Sequence, residues 1–325
     1  MSNAETRPQE LRCASGHAPE TPEPSAVQVL TARDVPLGGP RAMNVRRTLP
    51  QRARSLVGAW CFADHYGPDD VAVSGGMDVA PHPHIGLQTV SWLFAGEIEH
   101  RDSSGVHAMV RPGEINLMTA GHGICHSEVS TSDTTVLHGV QLWVALPARD
   151  RDVPRGFEGH VPEPVTCGSA TVRVFIGSLC GQTSPVRVYT PLLGAEIHLA
   201  PHATVSLDVD PTYEHGVLVD KGDITVQNTP VARADLGYVP VGEHHLTLTN
   251  DSDEESRLIL LGGEPFGEEI VMWWNFVGGS HDDIKRARED WMSGRRFGEV
   301  KGYDGEPLPA PELPNVPLKP RGGAR

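Results

Sequence analysis

The chain has 325 residues, a formal net charge of −15, 35 glycines and 28 prolines. That length fits one large or two medium domains. The acidic balance, without a Lys/Arg cluster, argues against the basic face that nucleic acid needs, and no run of about 18 apolar residues is present to span a membrane.

In chain order, residues 1–26 are polar and Pro-rich. They lack the basic and apolar regions of a signal peptide, which predicts a loose tail on a soluble cytoplasmic protein. From 27 to 148, short runs of Val, Ile, Leu and Thr alternate with turn signals: SSG at 103–105, RPGE at 111–114, AGHG at 120–123. This pattern reads as the strands of a barrel or sandwich. A polar stretch at 149–170 reads as a linker. The strand pattern returns over 171–298, with AEIHLAPHATVSLDV and the turns DKGD and VGEH. The fold class expected is therefore all-β, two tandem antiparallel barrels of jelly-roll type. A short C-terminal helix follows in SHDDIKRAREDWMSG. Ser280 is its N-cap, Asp282 and Asp283 suit the positive end of its dipole, Ile284, Ala287 and Trp291 share one face, and Gly294 stops it. The Pro-rich tail at 299–325 is expected to be extended or disordered.

The five cysteines, Cys13, Cys61, Cys125, Cys167 and Cys180, are irregularly spaced and include no C-x-x-C. This predicts buried thiols rather than a disulfide framework or a zinc ribbon.

The chemistry concentrates in two short pieces. In DVAPHPHIGLQTVSWLF, His82 and His84 are two residues apart at the mouth of a strand, and in GICHSEVS the same spacing joins His126 to Glu128. Strand side chains alternate faces, so each pair projects to one side. A barrel can bring both pairs to one point inside it. Three imidazoles and one carboxylate leave two positions open on an octahedral ion. Iron, nickel, manganese or copper suit such a site, whereas zinc prefers four ligands. Open positions make the metal a Lewis acid or an O₂-handling centre. A lone H-x-H is a weak signal; the second pair is what raises it.

The remaining histidines carry less. His65, His100, His107 and His138 read as surface or hydrogen-bonded structural residues. His122, four residues before His126, could reach the site as an outer donor. In the second block, Glu214-His215 and His244-His245 are adjacent pairs that face opposite ways, and His198 and His202 have no partner pair. That barrel is expected to be metal-free. Trp143 and the pair Trp273-Trp274 read as core aromatics.

Several stretches resemble the pirin family of the cupin superfamily: VRRTLPQRARSLVGAWCFADHYGP, HPHIGLQTVSWLFAGEIEHRDSSG, RPGEINLMTAGHGICHSE, HGVQLWVALP and LLGGEPFGEEIVMWWNFV. The resemblance runs from about Arg41 to Gly298 and leaves out both tails. It implies a bicupin fold, with one divalent metal in the N-terminal barrel. The metal expected is Fe(II) first, with Ni, Mn, Cu or Zn as others, on the positions of His82, His84, His126 and Glu128. Where cupins often carry a carboxylate ligand after the H-x-H, this chain has Gln88, which leaves Glu128 as the one acidic ligand. The family often has Arg where Ile85 stands here, a difference that bears on the substrate rather than on the metal.

The resemblance also implies a function. Several pirins behave like quercetinases, opening a flavonol ring with O₂ and releasing carbon monoxide. The expected substrate is a flavonol-like aromatic together with O₂, with Glu128 as general base. The alternative is a non-enzymatic regulator whose metal alters a surface that binds a protein partner. A third is a cupin that keeps the site without present chemistry.

Overall fold

The computed structural model of the chain describes residues 27–37, 43–320 and 322. The tail at 1–26, with Cys13, lies outside these. The regular structure of the described chain is mostly antiparallel strand, built as two copies of one plan. Each copy pairs a seven-stranded sheet with a four-stranded one. In the first, the seven-stranded sheet runs in the order Gly156–His160, Ile115–Thr119, Leu87–Ala95, Val136–Ala145, Trp60–Asp70, Met43–Leu49, Arg33–Leu37. Its four-stranded sheet is ordered Asp78–His84, Ile124–Ser130, Ile98–Asp102, His107–Val110. In the second copy, the matching four-stranded sheet is ordered Thr204–Asp208, His245–Asn250, Ile224–Val226, Thr229–Val231.

The two seven-stranded sheets pack against each other. Val90, Trp92, Leu117, Val140, Leu142 and Val144 of the first share one buried cluster with Phe175, Leu218, Leu236, Ile259 and Leu261 of the second. Burying such a face removes apolar area from water at about 25 cal/mol per Å². Polar ties cross the same seam. The Trp92 indole N–H donates to Glu196. Asp220 accepts from His65 Nε2 at 2.6 Å and His138 Nε2 at 2.5 Å, and pairs with Arg257 at 2.7 Å. Burial pushes the His65 imidazole down to about 4.

Several segments depart from the sequence expectations. The Gln28–Leu30 strand, expected in the first barrel, pairs with Leu236–Val239 of the second. The stretch expected as a linker carries the Gly156–His160 strand, on the first sheet, and Val165–Cys167, on the second. All three are too short to show a period of their own. Cys167, at the end of the Val165–Cys167 strand, and Cys180, in the turn between Ser178–Leu179 and Gln182–Thr183, form a disulfide, against the expectation of free thiols; their spacing carries no signal of it. Cys61 and Cys125 are buried thiols, as expected.

The helix runs over His281–Met292, with Ser280 Oγ accepting from the Asp283 N–H and Ile284 and Ala287 buried. The Pro-rich tail is extended but docked. The Trp291 indole N–H donates to the Leu308 carbonyl at 2.8 Å, and Ala310 and Leu318 are buried with Trp273, Trp274 and Phe276. Among the described residues, no helix is long and apolar enough to cross a membrane.

Candidate metal centre

The site lies in the first barrel, on the inner face of the four-stranded sheet. Asp78–His84 is its edge strand, paired only with Ile124–Ser130. An edge tolerates Pro81 and Pro83, which have no N–H to give to a ladder. Their side chains alternate with those of His82 and His84, so the imidazoles take the inner face. The exposed edge is covered by the tail, whose Leu308 N–H donates to the Pro81 carbonyl at 2.9 Å. After Ile85 the chain turns at Gly86, where φ is +67° and a Cβ would run into the Val277 carbonyl. This fixes glycine there.

Register brings the two pairs together. His82 stands opposite His126 and His84 opposite Ile124, with a bulge between His126 and Glu128. The ligand-type nitrogens of His82, His84 and His126 lie within 4.8 Å of one another, and all three residues are fully buried. Their outer nitrogens are engaged. His82 Nδ1 is 2.9 Å from the Ala80 carbonyl, and His84 Nδ1 is 3.2 Å from the Asn275 carbonyl. Each carbonyl accepts, so each Nδ1 carries the hydrogen and each Nε2 carries a lone pair. His126 Nδ1 is 3.4 Å from His100 Nδ1. The inner nitrogens converge: His84 Nε2 and His126 Nε2 are 3.1 Å apart, and His82 Nε2 is buried without a hydrogen-bond partner in the protein.

His84 Nε2 presents a lone pair across that gap, so either His126 Nε2 donates a hydrogen to it or a cation lies between the two. Two metal–nitrogen bonds of roughly 2.1 Å at a right angle put their nitrogens about 3.0 Å apart. The donor set therefore fits a metal ion. Burial pushes His82 down to about 3 and holds His84 and His126 well below the usual imidazole value. All three are thus in the neutral form that ligates.

Glu128 is buried in a second group of possible ligands, with His126 and His100, whose donor atoms also lie within 4.8 Å of each other. Ser91 Oγ is 3.5 Å from Glu128 Oε1 and 2.8 Å from Gln141 Oε1. On the wall beside His84, Trp143 meets its ring edge-on at 5.3 Å and stacks on Phe62 at 4.0 Å. Arg47 lies over Phe62 and makes a buried two-point ion pair with Asp64, at 2.7 and 2.8 Å.

The other polar side chains considered from the sequence point elsewhere. Gln88 donates to Thr119 Oγ1 at 2.9 Å and to the Arg187 carbonyl at 3.0 Å, on the side of its strand that faces the seam. His122 turns to the Val153 carbonyl and to Arg155. Cys125 packs its thiol toward the Phe297 and Gly298 carbonyls, and burial pushes it up to about 11. His107 is exposed on Glu99, and His65 and His138 are held at the seam. His100, read as structural from the sequence, instead contacts His126. The signal was present in EHRD: His100 and Asp102 are a third same-face pair, at the spacing of the other two.

Comparison with known proteins agrees with this architecture. Residues 42–144 match the family model described as Pirin, and 194–298 match the Pirin C-terminal cupin domain. A Pseudomonas aeruginosa protein named "Putative quercetin 2,3-dioxygenase" is 42% identical over 318 residues, covering 97% of this chain and 98% of its own. A pirin-like protein of Caulobacter vibrioides is 38% identical over 296 residues, covering 87% and 99%. The crystal structure of a quercetin 2,3-dioxygenase from Acinetobacter baumannii superposes with a TM-score of 0.86 at 36% identity, covering 92% of this chain and 98% of that one.

Proposed function

The chain belongs to the pirin family, and from that premise we propose that it is a metal-dependent dioxygenase of quercetinase type, acting on a flavonol or a similar enolisable ring with O₂. The observation that carries this reading is the convergence of three buried imidazoles, with the Nε2 atoms of His84 and His126 3.1 Å apart beside the orphaned Nε2 of His82. Relatives named for that activity support the choice of reaction. His82, His84, His126 and Glu128 hold the metal, Fe(II) in the first instance. When bound, the metal supplies a Lewis-acidic, O₂-reactive centre with positions left open.

The chain's own residues do the rest. The imidazoles are buried and neutral, so they bind without first losing a proton. Glu128 takes the proton of the flavonol hydroxyl onto a carboxylate oxygen, as general base. Ser91 Oγ lies 3.5 Å from the Glu128 carboxylate and donates at 2.8 Å to Gln141 Oε1. Trp143, stacked on Phe62, packs edge-on against His84 and closes that side of the site with buried apolar surface.

The test is anaerobic loading with Fe(II), followed by flavonol and O₂, with flavonol absorbance followed in time. Turnover by the wild type and its loss by at least about 10²-fold in Glu128→Gln is the expected result. Metal bound at one per chain with no flavonol consumed would overturn the quercetinase reading and favour the regulator that binds a protein partner.

A further inference from the structure

Behind the candidate ligand His126 lie two buried groups, His100 and Asp102, that the proposed reaction does not use. His126 Nδ1 is 3.4 Å from His100 Nδ1, and His100 Nε2 is 3.3 Å from Asp102 Oδ2. His100 is 3% and Asp102 2% exposed, so water does not supply alternative partners. Register places them: His126 stands opposite Asp102, and Glu128 opposite His100, on neighbouring strands.

The two ends of the chain fix its sense. Asp102 accepts only, so His100 Nε2 donates to it, and a His126 that binds metal through Nε2 carries its hydrogen on Nδ1, so His100 Nδ1 accepts it. Asp102 is fixed in turn. Its Oδ1 accepts from the Ser104 N–H at 2.8 Å, the Ser104 hydroxyl at 2.6 Å and the Val106 N–H at 3.2 Å. Those donors leave Oδ2 as the atom that faces His100.

We propose that Asp102, acting through His100, is a positioning residue that sets the tautomer of His126 and so decides whether its Nε2 can bind a metal. This rests on the reading of His126 as a ligand. What passes along the chain is which nitrogen bears the hydrogen.

A substitution that replaces one oxygen by an NH₂ should invert the chain. In Asp102→Asn the donors of Ser104 and Val106 keep the remaining oxygen at the Oδ1 place. The amide NH₂ then faces His100 Nε2, which must accept. His100 Nδ1 becomes the donor, His126 Nδ1 the acceptor, and the hydrogen moves to His126 Nε2, where it blocks the lone pair. His100→Gln should preserve the original sense, because one amide can accept from His126 and donate to Asp102. His100→Leu should lose it.

The experiment has two readouts on the purified full chain. One is histidine ¹⁵N NMR of the metal-free protein, with the His126 signals assigned through His126→Ala. The other is Ni(II) affinity by competition with a chromophoric chelator. The wild type and His100→Gln should show a protonated Nδ1 and a bare Nε2 at His126. Asp102→Asn should show the reverse and bind Ni(II) about 10- to 100-fold more weakly. A bare Nε2 in Asp102→Asn, or affinities for it and His100→Leu within about twofold of wild type, would overturn the proposal while leaving the metal site standing. A wild type that binds no Ni(II) would count against the site itself, and the NMR readout would still decide the relay.

Discussion

The two halves of the molecule share a plan and fill it in opposite ways. In the four-stranded sheet of the first, inward positions on successive strands are His82 and His84, His126 and Glu128, His100 and Asp102. In the same strand order of the second, they are Val205 and Leu207, Leu246 and Leu248, Ile224 and Val226. The second barrel is closed by an aliphatic core; the first gives up that core for a polar, buried pocket. Buried polar groups cost several kcal/mol unless paired. The first half meets that cost with directed hydrogen bonds and, on the present reading, with a metal. The second half and the seam supply the apolar burial that lets one barrel be spent on chemistry.

The comparison can be broken from either side, and the largest effects should come from the aliphatic barrel. Leu260→Ala, in the core of the second barrel, should cost about 2–5 kcal/mol in denaturant unfolding, as a cavity among fixed neighbours does. Ser91→Ala, in the polar pocket, should cost under about 1.5 kcal/mol. Equal losses would mean that the two interiors are not packed differently.

Metal should stabilise only through the first barrel. At 100 times its Kd, Ni(II) should raise the unfolding free energy by about 2.7 kcal/mol. His84→Ala should abolish that increment, and a substitution at His215 should not.

His215 sharpens the contrast, because it is a fully buried imidazole in the second barrel and neither ring nitrogen has a hydrogen-bond partner in the protein. Burial pushes it down to about 4. The unfolded chain therefore takes up a proton below about pH 6.5 that the folded chain refuses, and stability falls as pH drops from there toward 4. His215→Leu should be neutral to stabilising by about 1–2 kcal/mol at neutral pH. It should also make the acid decline of the denaturation midpoint shallower. A steeper decline would contradict the burial argument.

The smallest effect is an expected constancy. Because burial holds the three candidate ligands in their neutral form, Ni(II) affinity should change little between about pH 7 and pH 5. A titration of exposed imidazoles would instead show a steep loss there.

Much of this was legible in the sequence because strands have period two. That one rule put His82 with His84 and His126 with Glu128, and the turn residues between strands gave the doubled β plan. Applied a third time, to EHRD, it would have found His100 and Asp102. What the sequence hides is pairing across distance. Nothing local to Asp220 shows that two histidines of the other barrel reach it. Nothing in a Pro-rich tail shows that Leu308 will bond to the carbonyl beside His82. Nor does the spacing of Cys167 and Cys180 reveal their bond. Gln88 was placed by analogy near the site, but its strand position turns it to the seam.

The most direct test of the central claim is metal content per chain after anaerobic purification, comparing the wild type with His82→Ala/His126→Ala, with circular dichroism to confirm that both are folded. The account predicts close to one divalent metal per wild-type chain and none in the folded variant. No metal in the wild type under several loading conditions, or the same content in the variant, would contradict it.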